Sequence, residues 1–482
     1  MCMSVYALST VIKYKWTDLK HNGPAFAPPY ECLPENVYFK YDGQKVSLSE
    51  PAEEMAVAYA KVLHRKFASD KVFKLNFFND WKKVMTLEQQ AEIKDIKKCD
   101  FTMISTHFSQ NDVPRDKTLN EKYGFCTIDG VRTEISNYNM EPPGLFNSKT
   151  SKKGKWKKRI QPEDVTINCS EGYKPPEEHQ WKAIVHNRSV SWLAKWPNPI
   201  SRGPKYMRLS SSAKLKGEED RKKYDKAVAL GTCIEQIRKK YREDWESEDT
   251  RQLAIAVYLI DTFAFRAGGD HDDTEDADTV GCCSLRVEHI TLDDEQEVVE
   301  FDFHGKASIR YNNKQKIEHG AFEGLKSLTT GKAPNKLIFD QLTTDKVNKY
   351  LKNCMDNLTI KVFRTFKASS MLEAELQLKT EPTMTKEEQM LVFRKANQEV
   401  AKLCNHRRTQ KLLLNMPTSK EHYIDPRIVV AWCLKFNVPI DTIYTKKLRK
   451  KFRWAIEQSL ESFIFYRKGN GTDGNSEASS SE

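Results

Sequence analysis

A tyrosine placed at the edge of a rigid helix can present its oxygen as a nucleophile, and this chain holds one in Ser419-Lys420-Glu421-His422-Tyr423-Ile424-Asp425-Pro426-Arg427. Asp425 followed by Pro426 opens a helix: the carboxylate caps free backbone N–H groups, and proline at the first helical position gives up no hydrogen bond. Ile428 to Leu434 is apolar enough to be anchored in a core, so Tyr423 lies just outside a helix, on polar chain. Taken alone, the same stretch reads as a surface tyrosine in a loop more readily than as a nucleophile. A second feature with chemical meaning is the basic run from Lys149 to Arg159, in which Lys152, Lys153, Lys155, Lys157, Lys158 and Arg159 surround Trp156. Such a run suits a phosphate backbone, and it also suits a solvated face.

Other chemistries are excluded by spacing. The acidic loop Asp270-His271-Asp272-Asp273-Thr274-Glu275-Asp276-Ala277-Asp278 fails the calcium-loop template, because its sixth position is Glu275 instead of Gly and its twelfth is Gly281 instead of Glu. The 11 cysteines include no CxxC pair, which argues against a zinc site and against a disulfide framework and implies a reducing compartment. No GxxxxGK[ST] is present. The expectation is therefore an active site with no metal, no cofactor and no bound nucleotide.

The elements that must position this chemistry follow from the pattern. A chain of 482 residues with 39% apolar content suggests two to four domains with real cores. The net charge of +11, with aromatics among the Lys and Arg, points to a polyanion as partner. No apolar run approaches a membrane span. The segment before Asp18 has no acidic residue, which fits a mitochondrial address, and no Arg, which does not. The first 200 or so residues read as mixed structure with a helix over 52–66. From about Gly217 apolar residues recur at helical spacing over 218–245, 249–265, 345–355, 359–376 and 386–403. Val298 to Phe303 and Ser308 to Tyr311 alternate and form a hairpin with Lys306 at its tip. The end, 467–482, is Gly/Ser/Asn-rich and reads as disordered.

Several long blocks are similar to those of the eukaryotic type IB DNA topoisomerases. They are Phe265-Arg266-Ala267-Gly268, the segment from Ala277 through Gly281-Cys282-Cys283-Ser284 to His289, Gly305-Lys306, Lys361-Val362-Phe363-Arg364-Thr365, Leu403-Cys404-Asn405-His406, and Ser419-Lys420 through Tyr423 to Arg427. Phrases at 27–37, 76–78, 99–101 and 159–164 resemble that family's DNA-clamping cap. The resemblance implies a mixed α/β, multidomain DNA clamp whose mainly helical catalytic core is of the type IB topoisomerase and tyrosine recombinase type. Its expected parts are a cap at 1–205, a catalytic core at 206–410, a vestigial linker at 411–418 and a C-terminal domain at 419–466.

The family's roles fall on Tyr423 as nucleophile, Arg266, Arg364 and His406 as donors to the phosphoryl oxygens, and Lys306 as the acid that protonates the departing 5′ oxygen. Lys361, Thr418, Ser419 and Lys420 join the basic run as expected DNA contacts. The activity implied is ATP-independent relaxation of supercoiled double-stranded DNA through a 3′-phosphotyrosyl link, by a monomer resident in the nucleus or, alternatively, the mitochondrion. Site-specific recombination and DNA binding with weakened catalysis are the rival readings. Taken singly, Arg266 and Arg364 read as helix-surface ion-pair partners, Lys306 as a solvated tip, and His406 as a partner of a helix dipole. Departures from the family are Ala307 after the lysine, His422 before the tyrosine, Pro417, Asn147-Ser148-Lys149 after Phe146, and a short stretch, Arg407 to His422, where the family places a long helical hairpin.

Overall fold

The computed structural model describes residues 14–109, 118–147, 151–175, 179–268, 279–406, 416–458 and 462–466. Lys149, the acidic loop, most of the short stretch after His406 and the end at 467–482 lie outside the described residues. The chain divides into two compact units, 1–216 with 272–277, and 217–271 with 278–482.

The N-terminal unit has two cores. In one, helices Glu50–Ala60 and Lys71–Lys82 pack Tyr59, Phe73, Phe77 and Trp81 around Phe39 and Phe101, with the Tyr59 and Phe77 rings stacked at 4.1 Å. The helix expected over 52–66 stops at Ala60, because Val62, Leu63 and Phe67 reach the same core from turns, and Asp70 then caps the next helix by accepting from the N–H groups of Val72 and Phe73. The other core lies on a four-stranded sheet in the order Ala183–Val185, Thr166–Asn168, Trp192–Pro197, Pro204–Arg208. That last strand pairs antiparallel with Trp192–Pro197, with a register shift at Leu193, so this unit extends past 205, to Lys216.

The C-terminal unit has one core. Helix Glu248–Phe263 is buried from Ala254 to Asp261, helices Lys214–Asp244, His319–Thr329, Thr344–Cys354 and Ile360–Lys379 pack on it, and Lys386–Leu403 packs on the last of these. Helix Pro426–Lys435 contributes Ile428, Val429 and Trp432 to that same core, so 419–466 forms no separate compact unit. The expected hairpin is longer than its alternating residues suggested: Val298–Gly305 pairs with Ile309–Lys316, leaving only Lys306, Ala307 and Ser308 as the tip. A third strand, Ile290–Asp293, flanks it; four residues before an acidic turn carry too little alternation to be read from sequence. No helix among the described residues is long and apolar enough to cross a membrane.

Candidate active site

The polar chain before Tyr423 is itself helical, which sequence reading did not place. Met416–His422 is a helix, and Tyr423 stands one residue beyond it. The end of this helix is held from outside, with Lys451 Nζ donating to the carbonyl of Glu421 (2.5 Å) and Lys223 Nζ to that of His422 (3.2 Å), as cations favour helix C-termini. On its other side Asp425 caps helix Pro426–Lys435 through the Arg427 N–H (2.9 Å), as its sequence position demands.

The tyrosine backbone is also tied to a neighbouring helix. Ser369, fully buried on Ile360–Lys379, accepts from the Asp425 N–H (2.9 Å) and donates to the Tyr423 carbonyl (3.2 Å). Sequence reading missed Ser369, since nothing local marks a serine as a clamp between distant segments. Asp425 is buried and forked by Arg427, whose Nη2 lies 2.7 Å from Oδ2 and whose Nη1 reaches Asp225 at 2.7 Å. Burial pushes the Asp425 carboxyl up and Arg427 pulls it back. Removing Asp425 leaves the buried Arg427 with only the half-exposed Asp225 against its charge. Asp425→Ala is therefore expected to cost about 3–5 kcal/mol of stability, seen as a lowered Tm in thermal denaturation; an unchanged Tm would contradict this account.

Arg266 follows the helix Glu248–Phe263, whose end is turned by Ala264 in the left-handed region (φ 52°). The segment is then pinned by the N–H of Cys282 on the Arg266 carbonyl (2.8 Å) and of Cys283 on that of Ala267 (2.7 Å). Gly281 is required here, because a Cβ on it would lie 2.2 Å from the Gly268 nitrogen. So held, Arg266 Nη1 donates to the Tyr423 hydroxyl at 3.1 Å. Arg364 is buried, donates from Nη1 to the Ala264 carbonyl and from Nη2 to that of Cys404 (2.9 Å), and lies with its guanidinium 5.1 Å from the Tyr423 ring centre. Among the described residues its Nε has no partner.

His406 is placed by a helix terminus. Asn405 adopts φ 49°, its N–H bonds the Lys402 carbonyl and the His406 N–H bonds that of Ala401, both at 2.9 Å, which is the Schellman pattern ending helix Lys386–Leu403. The His406 ring lies 5.1 Å from that of Tyr423, its Nδ1 is 2.8 Å from Ser419 Oγ, and its buried Nε2 has no partner among the described residues. The reading of His406 as a cation stabilised by a helix dipole is overturned. Burial first, then the charges of Arg364, Arg266 and His422, pushes its pKa down to about 3, so the ring is neutral at pH 7.

A pH prediction follows. The folded-state pKa lies below the ordinary 6.5, so the unfolded chain binds the proton first and stability falls as pH drops from about 6.5 toward about 3. His21, buried and pushed to about 4, acts in the same direction. The stability difference between wild type and His406→Gln should therefore change across that window and stay flat above it; chemical denaturation at a series of pH values tests this.

Lys306, exposed at the hairpin tip, lines both of two cavities that also share Arg266, Arg364 and Thr418. The first adds His406, Phe263, Phe303 and Tyr311; the second adds Tyr423, Lys361 and His422, with Lys222, Lys223 and Lys226 from helix Lys214–Asp244. The structure thus brings Arg266, Lys306, Arg364, His406 and Tyr423 to one cationic recess, and the lysines of the long helix are a contribution that sequence reading missed.

The expected DNA contacts divide. Lys361 and Thr418 line the recess. Ser419 is fully buried on His406, and Lys420 turns back to donate to the Ile443 carbonyl (3.1 Å), so neither side chain faces outward as expected. The basic run in the other unit is no uniform face: Lys152 is buried, Lys153 pairs with Asp70 at 2.7 Å, Lys157 approaches Glu141 at 3.6 Å, and Arg159 pairs with Glu54 at 2.5 Å while donating to the Ala27 and Pro28 carbonyls. Lys155 is half-buried, and Lys158 is exposed.

Three family models match the chain: the DNA binding fragment of eukaryotic DNA topoisomerase I over 14–209, its catalytic core over 212–424, and the C-terminal topoisomerase domain over 395–465. DNA topoisomerase 1 of Homo sapiens is 40% identical over 550 aligned positions, covering 94% of this chain and 72% of that protein. The chain belongs to the eukaryotic DNA topoisomerase I family. It is a type IB DNA topoisomerase, an isomerase that relaxes supercoiled DNA, with double-stranded DNA as its partner. DNA topoisomerase 1 of Caenorhabditis elegans is 40% identical, covering 94% of this chain and 68% of that protein, and the human protein named DNA topoisomerase I, mitochondrial, is 38% identical, with 94% and 92% covered. Membership sets aside the recombinase reading. The alignment with human topoisomerase 1 spans 550 positions but takes in 94% of this chain's 482 residues, about 453, so about 97 of its positions have no counterpart here.

Proposed function

We propose that relaxation proceeds by attack of Tyr423 Oη on a DNA phosphodiester, giving a 3′-phosphotyrosyl link and a free 5′-hydroxyl, rotation of the broken strand, and reversal. One ester replaces another, so the step needs no ATP. The observation that carries this is the 3.1 Å hydrogen bond from Arg266 to the Tyr423 hydroxyl, with the unpartnered donors Arg364 Nε and His406 Nε2 beside the same ring. An orphaned buried donor is costly, and a non-bridging phosphoryl oxygen would satisfy it. If Ser419 Oγ donates to Nδ1, the neutral imidazole of His406 keeps its proton on Nε2, the form that donates to such an oxygen. Arg266 and Arg364 oppose the charge that grows on the phosphoryl group, and Lys306 at its exposed tip supplies the proton to the departing oxygen.

Duplex would be held by Lys361, Thr418 and the lysines of the long helix at the recess, and separately by the N-terminal unit, which matches the family's DNA binding fragment. We read the working form as a nuclear monomer without the family's long helical hairpin. The test is a nicked duplex from which the short fragment carrying the new 5′-hydroxyl diffuses away: a denaturant-stable adduct should form, and peptide mapping should find it on Tyr423 through a 3′ phosphate. An adduct on another residue or on the 5′ side overturns the proposal, and duplex binding with no adduct would favour the rival reading of weakened catalysis, for which Ala307 and His422 are the motive.

A further inference from the structure

Of the run Lys446-Lys447-Leu448-Arg449-Lys450-Lys451-Phe452-Arg453, only Lys451 takes part in the site described above, through its bond to the Glu421 carbonyl. Leu448, Lys451 and Phe452 are buried, which fixes the short helix Lys446–Lys451 against the core of the C-terminal unit. Lys446, Lys447, Arg449, Lys450 and Arg453 are exposed. Lys446, Arg449 and Lys450 stand at i, i+3 and i+4, so they share the face opposite the buried one. Countercharge is sparse: Arg453 pairs with Glu457 at 2.6 Å and Lys447 stands 3.8 Å from Glu421, while among the described residues Lys446, Arg449 and Lys450 make no ion pair.

Like charges crowded on one folded face repel one another, a cost that a bound polyanion removes. The face presents point charges and no exposed aromatic ring, which suits phosphates and not bases. It is also joined to the nucleophile's segment, since Lys451 Nζ bonds the Glu421 carbonyl at 2.5 Å, two residues before Tyr423. We propose that Lys446, Arg449 and Lys450 form a second, sequence-blind contact with the backbone of duplex DNA outside the cleaved phosphodiester. This contact rests on the family's action on DNA and not on the roles proposed for the five residues of the recess.

The test compares the triple variant Lys446→Gln, Arg449→Gln, Lys450→Gln with a charge-keeping one, Lys446→Arg, Arg449→Lys, Lys450→Arg, in equilibrium binding to a long duplex at several salt concentrations. Each phosphate contact contributes about 0.9 to the slope of log affinity against log salt, so three lost contacts should flatten it by up to about 2.7. Between about 50 and 200 mM salt the neutral variant should lose about 40-fold less affinity than wild type. The charge-keeping variant should retain the wild-type slope, and cleavage of duplex already bound at low salt should be unchanged in both. An unchanged slope in the neutral variant overturns the proposal, as does a charge-keeping variant that behaves like the neutral one. Loss of binding to anionic vesicles or to an acidic protein with the DNA slope intact would assign the face to another partner. Adduct formation on Tyr423 is read separately, so failure here and failure of the proposed chemistry are distinguishable.

Discussion

Tyr423→Phe should abolish relaxation while leaving duplex affinity unchanged. The substitution removes one oxygen and keeps the ring, so the contacts of Arg364 and His406 with its faces persist. The Ser369 bonds to the backbone on either side of Ile424 are untouched as well. Only the Arg266 hydrogen bond is lost. Loss of a nucleophile costs on the order of 10⁴-fold or more in turnover, which in a plasmid assay is no visible ladder at enzyme levels that relax the substrate fully with wild type. Binding measured by mobility shift should be the same for both proteins. A variant that relaxes plasmid at a comparable rate would remove Tyr423 from the reaction, and one that fails to bind would show that the phenol, not the recess, holds the DNA.

The second large effect concerns Lys306. A general acid contributes about 10²–10⁴-fold, but only where the leaving group needs a proton. Lys306→Ala should therefore slow cleavage strongly on an ordinary 5′-oxygen substrate and little on one whose scissile 5′ atom is sulfur, because a thiolate departs unprotonated. The residue is well placed for such a clean test. It sits exposed on a three-residue tip between Gly305 and Ile309, which pair directly, so truncating its side chain disturbs no core contact. Equal slowing of both substrates would assign Lys306 to phosphate binding instead. Rescue by the sulfur substrate would distinguish proton donation from a merely structural role.

What the sequence settled was local. Asp425-Pro426 opens a helix wherever it is placed, because the cap and the proline act within one turn. The helix at Lys386–Leu403 was legible from its periodicity, and its last residue was right because Asn405 at the left-handed position stops it. The hairpin was visible from alternation, although its full length was not, since the polar residues Asn312 to Lys316 continue a strand that only pairing with Val298 to Asp302 makes. Family membership was legible too, carried by blocks in order along the chain.

The tertiary structure decided what depends on distance in sequence. Ser369 and Tyr423 are 54 residues apart, and His406 and Ser419 are separated by a stretch with no readable element, so neither hydrogen bond has a local signal. The same holds for charge. Lys153 and Arg159 look like phosphate ligands in a run of cations, yet their partners Asp70 and Glu54 lie 83 and 105 residues away. His406 looks like a cation at a helix end, yet burial beside two arginines from remote segments keeps it neutral. A side chain's type is fixed by the sequence, but its protonation, its partner and the direction it faces are set by desolvation and by neighbours that only folding supplies.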